Sequence, residues 1–433
     1  MKTEAMSASA KHFAICMHCK KAIIRRSGSS VLAFAMALVL LTSASSPART
    51  FTVLYNFKGG TDGIGPMAGL VMDAAGNFYG TTEFGGINDN GTVFKLTGKE
   101  ETVLYKFTGS PDGANPSGGL IFDAEGNLYG VTSEGGKVNC GTVFKLAPSG
   151  TETVLHSFCS NGETDGARPS GNLITDAKGN LYGTTLVGGS EGSGTVFKVD
   201  LSGAETVLYN FCTKGGSQCT DGEEPQGGLV MNAAGNLYGT TAINLGPKLT
   251  GTGGVFKLTP TGKDTTLHRF SFAKGVSPNG GLIFDTAGSL YGTTLLGGSN
   301  ICQLPGQNNG CGTVFKVDAT GKETVLYDFC SASACADGSA PGAGLFMDAQ
   351  GNLYGTTLSG GTGTCTGQLF PGCGTVFELS ANGTENVLHT FTGIESDGAY
   401  PYSILIMDAK GNLYGTTSAG GKFGNGIVFE ITP

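Results

Sequence analysis

The stretch GGLIFDAEGNLYGVTSEGGKVNCGTVFKLAPSGTETVLHSF, residues 118–158, decides the fold. It holds four short runs rich in β-branched and aromatic residues, at 120–123, 127–132, 142–146 and 153–158, each bounded by turn residues. Asp123 to Gly126 and Pro148 to Gly150 supply the Asp or Pro start and the positive-φ Gly that a tight hairpin needs. The unit therefore reads as a four-stranded antiparallel meander. Its centre, GNLYGTT with small variants, recurs around Tyr79, Tyr129, Tyr182, Tyr238, Tyr291, Tyr354 and Tyr414, at intervals of 50 to 63 residues. Seven such units predict an all-β, seven-bladed β-propeller.

The lack of strict polar alternation along these strands supports that reading over an open sheet. Leu128 and Tyr129 are adjacent, as are Val143 and Phe144, so both faces of each sheet carry apolar groups and both must be covered. A blade sandwiched between two others meets that need. Gly pairs such as Gly118 with Gly119 and Gly227 with Gly228 precede the first strand and suit crowding at an axis. The chain opens its repeat region with a lone fourth-strand signal at 52–57 and ends on a third-strand signal at 426–431. Pairing the two closes the ring and removes exposed edges. A solenoid is the alternative, but its coils are usually shorter than this period.

Two segments follow: a leader over 1–48 and the repeat region over 51–433. In the leader, Lys20, Lys21, Arg25 and Arg26 precede the apolar run VLAFAMALVLL at 31–41, and small residues follow. This predicts a signal peptide cleaved after Ala44 or Ala48, and a run of 11 residues is short for a bilayer span. No Cys follows the run, so a lipoprotein signal is not expected, and SGSSV after the arginine pair gives little support to a twin-arginine signal. The localisation expected is secreted or periplasmic, with membrane attachment only through an uncleaved signal. Removing the leader takes six of 26 basic and one of 34 acidic residues, leaving a net charge of about −13. Such a surface lacks the basic stripe that nucleic acid requires.

Gly is 75 of 433 residues, only 14% of positions are charged and Trp is absent, which describes a turn-rich chain and not a disordered one. Cys16 and Cys19 lie in the leader as CMHC, without the following His of a haem motif. The other ten cysteines are even in number and suit an oxidising compartment. Cys212 with Cys219, Cys302 with Cys311, Cys330 with Cys335 and Cys365 with Cys373 would close local loops, while Cys140 and Cys159 sit at the ends of one hairpin. Cys311 and Cys330 stand in the same relation as Cys140 and Cys159, so that connectivity stays open. Zinc is disfavoured, since no His accompanies these pairs and CxxC spacing is missing.

GNLYGTT, the Gly-Gly loop, GTVFKL and ETVLYxF together resemble the GloVer (Gloeo_Verruco) tandem repeat, a family of exported bacterial proteins, over essentially all of 51–433. The resemblance implies a bacterial surface or secreted repeat protein without an assigned activity. The chain stops at Pro433 with no sorting motif or apolar tail, so free secretion or periplasmic residence is the expectation.

Candidate sites fall in two loop sets expected on one face. Loops after the fourth strand carry Asp62, Asp112, Asp165, Asp221, Asp337 and Asp397, a few residues before Pro66, Pro116, Pro169, Pro225, Pro341 and Pro401. Six carboxylates could bind Ca²⁺, although Asp-Gly is foremost a turn signature and the fifth repeat, with Pro278, lacks the Asp. No cofactor is required by the sequence. Loops between the second and third strands diverge most and display Gln303, Leu304, Gln368 and Phe370, a candidate ligand surface.

Catalytic residues are not singled out. His156, His268 and His389 each replace the Tyr of the fourth-strand pattern seen at Tyr55 and Tyr105, which is a repeated structural position. Glu83, Glu134, Glu163, Glu191, Glu223 and Glu224 lie near the loop face, but no spacing selects an acid and a nucleophile among them. Phe84, Phe370, Tyr400 and Phe423 are the aromatics least bound to the repeat. The function expected is a monomeric extracellular interaction or structural module for a glycan or a protein, with a glycosidase or lyase as the alternative.

Overall fold

The computed structural model describes residues 49–160, 162–216, 219–242, 252–304, 307–366, 370–394 and 397–433. Among them the strands assemble into seven antiparallel propeller sheets, with no α-helix. Blade 1 runs outward from Val71–Met72 at the axis through Phe78–Thr82 and Thr92–Thr97 to Glu100–Lys106. Blades 2 to 6 repeat this order. In most blades the innermost strand pairs over only two residues, as Val230–Met231 and Phe346–Met347 do, which is shorter than the four-residue run at 120–123 suggests. The Gly pairs before it explain the difference. They approach neighbouring blades so closely that the chain serves as a liner and not as a ladder strand.

Blade 7 takes its outer strand from the start of the repeat region. Thr50–Asn56 pairs with Ile427–Thr432, from Thr50 opposite Thr432 to Asn56 opposite Ile427. The register shifts between Val53 and Tyr55, and the same bulge recurs at this place in every third-to-outer strand pair. A bulge strengthens local twist and blunts an edge strand.

The core lies between blades. Val93 and Phe107 of blade 1, for example, cluster with Leu120, Leu128, Phe144 and Leu146 of blade 2. At each seam the Phe closing one outer strand meets the Phe of GTVFKL in the next blade. The seven pairs are Phe57–Phe94, Phe107–Phe144, Phe158–Phe197, Phe211–Phe256, Phe270–Phe315, Phe329–Phe377 and Phe391–Phe429. Their centroids are 4.8 to 5.4 Å apart and their planes 64° to 71° apart, the edge-to-face arrangement that aromatic quadrupoles favour. The second Phe of each pair covers the central Gly of GNLYGTT. A Cβ on Gly183 would lie 2.6 Å from Phe197, and on Gly80 2.7 Å from Phe94, so this Gly is set by close approach and not by its φ.

The motif Tyr works within its own blade as well as at the seam. Tyr79 donates to Asp73 Oδ2 at 3.0 Å, and Tyr129 to Asp123 at 2.9 Å, while backbone amides of Asn77 and Asn127 bond the other carboxylate oxygen. These bonds outweigh the opposing effect of burial and hold both aspartates below the usual carboxylate range. Tyr79 and Tyr238 also meet Phe122 and Phe284 of the following blades edge-on.

Deleting residues 51–57 removes one strand and one half of a Phe pair. The thermal midpoint should fall by more than about 10 °C in circular dichroism melts. An unchanged melting profile would mean that this strand does not hold the ring.

Candidate functional site

The segments that lead into the inner strands converge on the axis. There, neighbouring backbones touch. A Cβ on Gly118 would meet the Gly171 carbonyl at 2.1 Å, and one on Gly280 the Ala343 carbonyl at 2.5 Å. Thr side chains of the second strands bridge blade to blade. Thr240 donates to the Gly280 carbonyl, Thr293 to that of Ala343, Thr356 to that of Ser403 and Thr416 to that of Ala68, at 2.7 to 3.4 Å. The last bond closes the ring a second time, at the axis. Blade 2 has Val131 at this position, and there Ser117 supplies the bridge instead, donating to the Pro169 carbonyl at 2.8 Å.

These contacts leave a cavity of about 290 Å³ with contributions from all seven blades. Gly backbone makes much of its wall. Asn172, Gln226, Asn279, Ser170 and Tyr402 add amide and hydroxyl groups, Met67 and Ile404 add apolar surface, and Glu83 is the one charged lining residue. Asn172 is partly committed, since its Oδ1 accepts from Gly119 N at 2.7 Å. Burial, reinforced by the charge of Glu134, pushes the Glu83 carboxyl above its ordinary range. Burial does the same to Glu224. Glu134, Glu163 and Glu191 are exposed, and Glu223 is half-buried.

The two loop sets do share a face, because they pair with each other. Ile64 bridges to Phe84, Val276 to Leu296, and Gly113–Pro116 pairs with the end of Leu128–Gly135. The six aspartates lie at the outer-strand end of these loops, each serving its own turn. Asp221 accepts from Tyr209 Oη at 2.6 Å, from Thr213 N and Oγ1 at 3.0 Å and from Lys214 N at 3.2 Å. Asp62, Asp112 and Asp337 accept from Tyr55, Tyr105 and Tyr327 in the same way. For Asp165 and Asp397 the partner is His156 or His389, through Nε2 at 3.1 Å. The prolines that follow seal the seams. A Cβ on Gly91 would meet Pro116, and one on Gly426 would meet Pro66 at 2.7 Å. Among the described residues the aspartates form no group of three close enough to share an ion; the one such group is Cys302, Cys311, Cys330 and Cys335.

Those four cysteines form the disulfides Cys302–Cys311 and Cys330–Cys335, with Sγ of Cys302 and Cys330 3.2 Å apart. The remaining bridges are Cys140–Cys159, Cys212–Cys219 and Cys365–Cys373. Five disulfides point to an oxidising compartment. No helix among the described residues is long and apolar enough to cross a membrane.

Gln303 lies opposite Asn308 and Leu304 opposite Gln307 in a short hairpin whose backbone alone is described at those positions, and Gln368 lies outside the described residues. Phe370 is 4% exposed and belongs to a core cluster with Leu358 and Cys311. Phe84 and Phe423 are exposed, while Tyr400 is half-buried and donates to the Thr366 carbonyl at 3.3 Å.

Residues 41–242, 216–370 and 249–433 match the profile of the Gloeobacter/Verrucomicrobia repeat. The chain belongs to that family. No curated protein matches it. Among solved structures, this Gloeobacter/Verrucomicrobia repeat protein is similar to a gluconolactonase from Xanthomonas campestris, at 16% identity and a TM-score of 0.40, over 80% of this chain and 90% of that one. It is also similar to a luciferin-regenerating enzyme, at 17% identity and a TM-score of 0.44, over 73% and 91%. Likeness at this level is one of fold alone.

Sequence reading missed two sets of residues. The axial liners escape it because a residue beside a Gly pair carries no signal of what it faces. The second set, the carboxylates that begin the outer strands, recurs in plain view at Glu101, Glu152, Glu205, Asp264, Glu323 and Glu385, but their burial against the preceding blade does not.

Asp221→Ala strands two backbone amides and two hydroxyls, and should cost about 2–4 kcal/mol in urea unfolding. A loss below about 0.5 kcal/mol would show that the loop holds its shape without the carboxylate.

Proposed function

We propose that this protein is an exported, disulfide-braced binding module that takes a small neutral, hydroxyl-rich ligand of the saccharide class at the mouth of its axial cavity. The observation that supports this most is the cavity's composition: amides, hydroxyls and backbone groups from seven blades, with one carboxyl and no cationic side chain. Such a wall offers many donors and acceptors in fixed positions and no charge to select a phosphate or a nucleic acid. Trp being absent, Tyr402 and the apolar edges of Met67 and Ile404 would meet the ligand's less polar face. The apolar run and basic front of the leader, with the disulfides, are consistent with secretion or periplasmic residence. The divergent loops carrying Gln303, Leu304 and Gln368 would supply contacts to a larger glycan or a protein partner.

One observation favours a second reading, hydrolysis of a glycan. Glu83 lines the cavity with a carboxyl raised by burial, as a general acid requires.

A glycan screen on the mature chain, followed by Gln226→Ala and Asn279→Ala, tests the binding site. Affinity for any hit should fall at least about tenfold in each variant. Unchanged affinity in both would move the site away from the axis. Turnover of a bound glycan that Glu83→Gln abolishes, with binding kept, would establish the enzyme; binding without turnover supports the module.

A further inference from the structure

The two disulfides of blade 5 stand side by side. The Sγ atoms of Cys302, Cys311, Cys330 and Cys335 all lie within 4.8 Å of one another, and those of Cys302 and Cys330, which are not bonded to each other, are 3.2 Å apart. Among the described residues no other group of three or more cysteines is gathered this closely. Cys302 and Cys311 are buried, whereas Cys330 and Cys335 are half-buried and Ser331 to Ala334 between them are exposed. The cluster therefore has a dry inner bridge and an outer bridge that a solute can reach.

Blade 2 shows what else this backbone accepts. Cys311 and Cys330 occupy the repeat positions of Cys140 and Cys159, one just before GTVF and the other just after the Phe that ends the outer strand. In blade 2 these two are bonded, with Cα atoms 5.9 Å apart. The flanking main chain is the same in both blades. Thr142 pairs with Ser157 as Thr313 does with Asp328, and the amides of Phe158 and Phe329 donate to Gly141 and Gly312 at 3.1 Å. The carbonyls of Cys140 and Cys311 accept from the amides of Arg168 and Ala340 at 2.9 and 2.8 Å, and Cys159 and Cys330 hold φ values of 58° and 60°. The main chain that carries a bridge in blade 2 is thus already in place for Cys311 with Cys330, and side-chain rotation alone brings those sulfurs together. Cys302 and Cys335 are then left as neighbours.

We propose that blade 5 carries a thiol–disulfide exchange site, at which a small external thiol converts the clasps Cys302–Cys311 and Cys330–Cys335 into the staples Cys311–Cys330 and Cys302–Cys335. The steps balance without an oxidant. The external thiolate attacks Cys335 Sγ in the outer bridge, forms a mixed disulfide with it and releases the Cys330 thiolate. That thiolate attacks Cys311 Sγ, forms Cys311–Cys330 and releases the Cys302 thiolate. Cys302 then attacks Cys335, forms Cys302–Cys335 and returns the external thiolate. Each clasp closes a loop within one connection, whereas the Cys302–Cys335 staple ties the hairpin of Ile301–Leu304 and Gln307–Gly310 to the loop that leaves blade 5. Exchange therefore changes how the hairpin bearing Gln303 and Leu304 is held. It does not depend on the ligand proposed for the axis.

Trypsin cuts at Lys316 and Lys322, between the two halves of the cluster, so the clasped form yields two separate peptides and the stapled form a joined pair. The folded mature chain should be equilibrated with reduced and oxidised glutathione, quenched with acid and mapped by mass spectrometry. Both forms are expected, and a single form, joined or separate, would overturn the proposal. The variant Cys302→Ser with Cys335→Ser leaves Cys311 and Cys330, which should bond as Cys140 and Cys159 do. Its labelling by maleimide should be lost on treatment with oxidised glutathione, and labelling that persists on both cysteines overturns the exchange. Should the variant not fold, fragmentation of the joined native peptides decides: Cys311 bonded to Cys330 supports the proposal, and Cys302 bonded to Cys330 overturns it.

Discussion

One phenylalanine edge set against another, above a glycine, carries the architecture. The Phe that ends each outer strand can pack only if the next blade presents its own Phe at about 5 Å, and that ring can lie flat only if the strand beneath has no Cβ. Ring, edge and gap are three residues at three repeat positions, and each is useless without the other two. Because the contact always joins one blade to the next, burial of the chain's most apolar side chains is obtained only by stacking. Seven buried pairs make the seams the core.

From that constraint the division of labour follows. Positions that hold the seam are filled alike in all seven copies, by Phe, by Gly and by the Pro that rests on the Gly before GTVF. What is free to vary is left at the two ends of each seam. At the axis, Gly pairs bring the backbones together and the few side chains beside them, Asn172, Gln226, Asn279 and Tyr402, differ from blade to blade. A chemically uneven wall on an even frame is suited to recognising one orientation of a ligand. At the periphery, the position that begins the outer strand is partnered differently from blade to blade, by Lys214 at Asp264, by His268 and Lys274 at Glu323 and by the stacked His389 ring at Phe51.

Much of this was legible in the sequence, and the reasons are specific. Strand runs and Asp-to-Gly turns are local signals that recur along the chain, so the blade and its count could be read directly, while among the cysteines the choice between Cys302–Cys311 with Cys330–Cys335 and a Cys311–Cys330 bridge was left for the structure to make. The role of the loop aspartates was half-visible. Their turn signature is local, but the Tyr or His that each one binds lies up to 12 residues earlier, on a strand whose facing the sequence does not state. Axial residues and the burial of the outer-strand carboxylates were not legible, because both arise where blades about 50 residues apart in sequence come into contact, and periodicity within one blade says nothing of that register.

The seam between blades 7 and 1 is the most direct test, since there Phe57 follows the strand that the start of the repeat region lends to blade 7 and packs against Phe94 of blade 1. Phe57→Ala, Phe94→Ala and the double variant should be compared in urea unfolding with Phe211→Ala, Phe256→Ala and their double variant. Equivalent seams predict a cost of about 3–5 kcal/mol for Phe57→Ala and for Phe211→Ala alike, with coupling of about 0.5–1.5 kcal/mol in both pairs. A cost below about 1 kcal/mol for Phe57→Ala, beside a full cost for Phe211→Ala, would contradict a ring held closed by that contact.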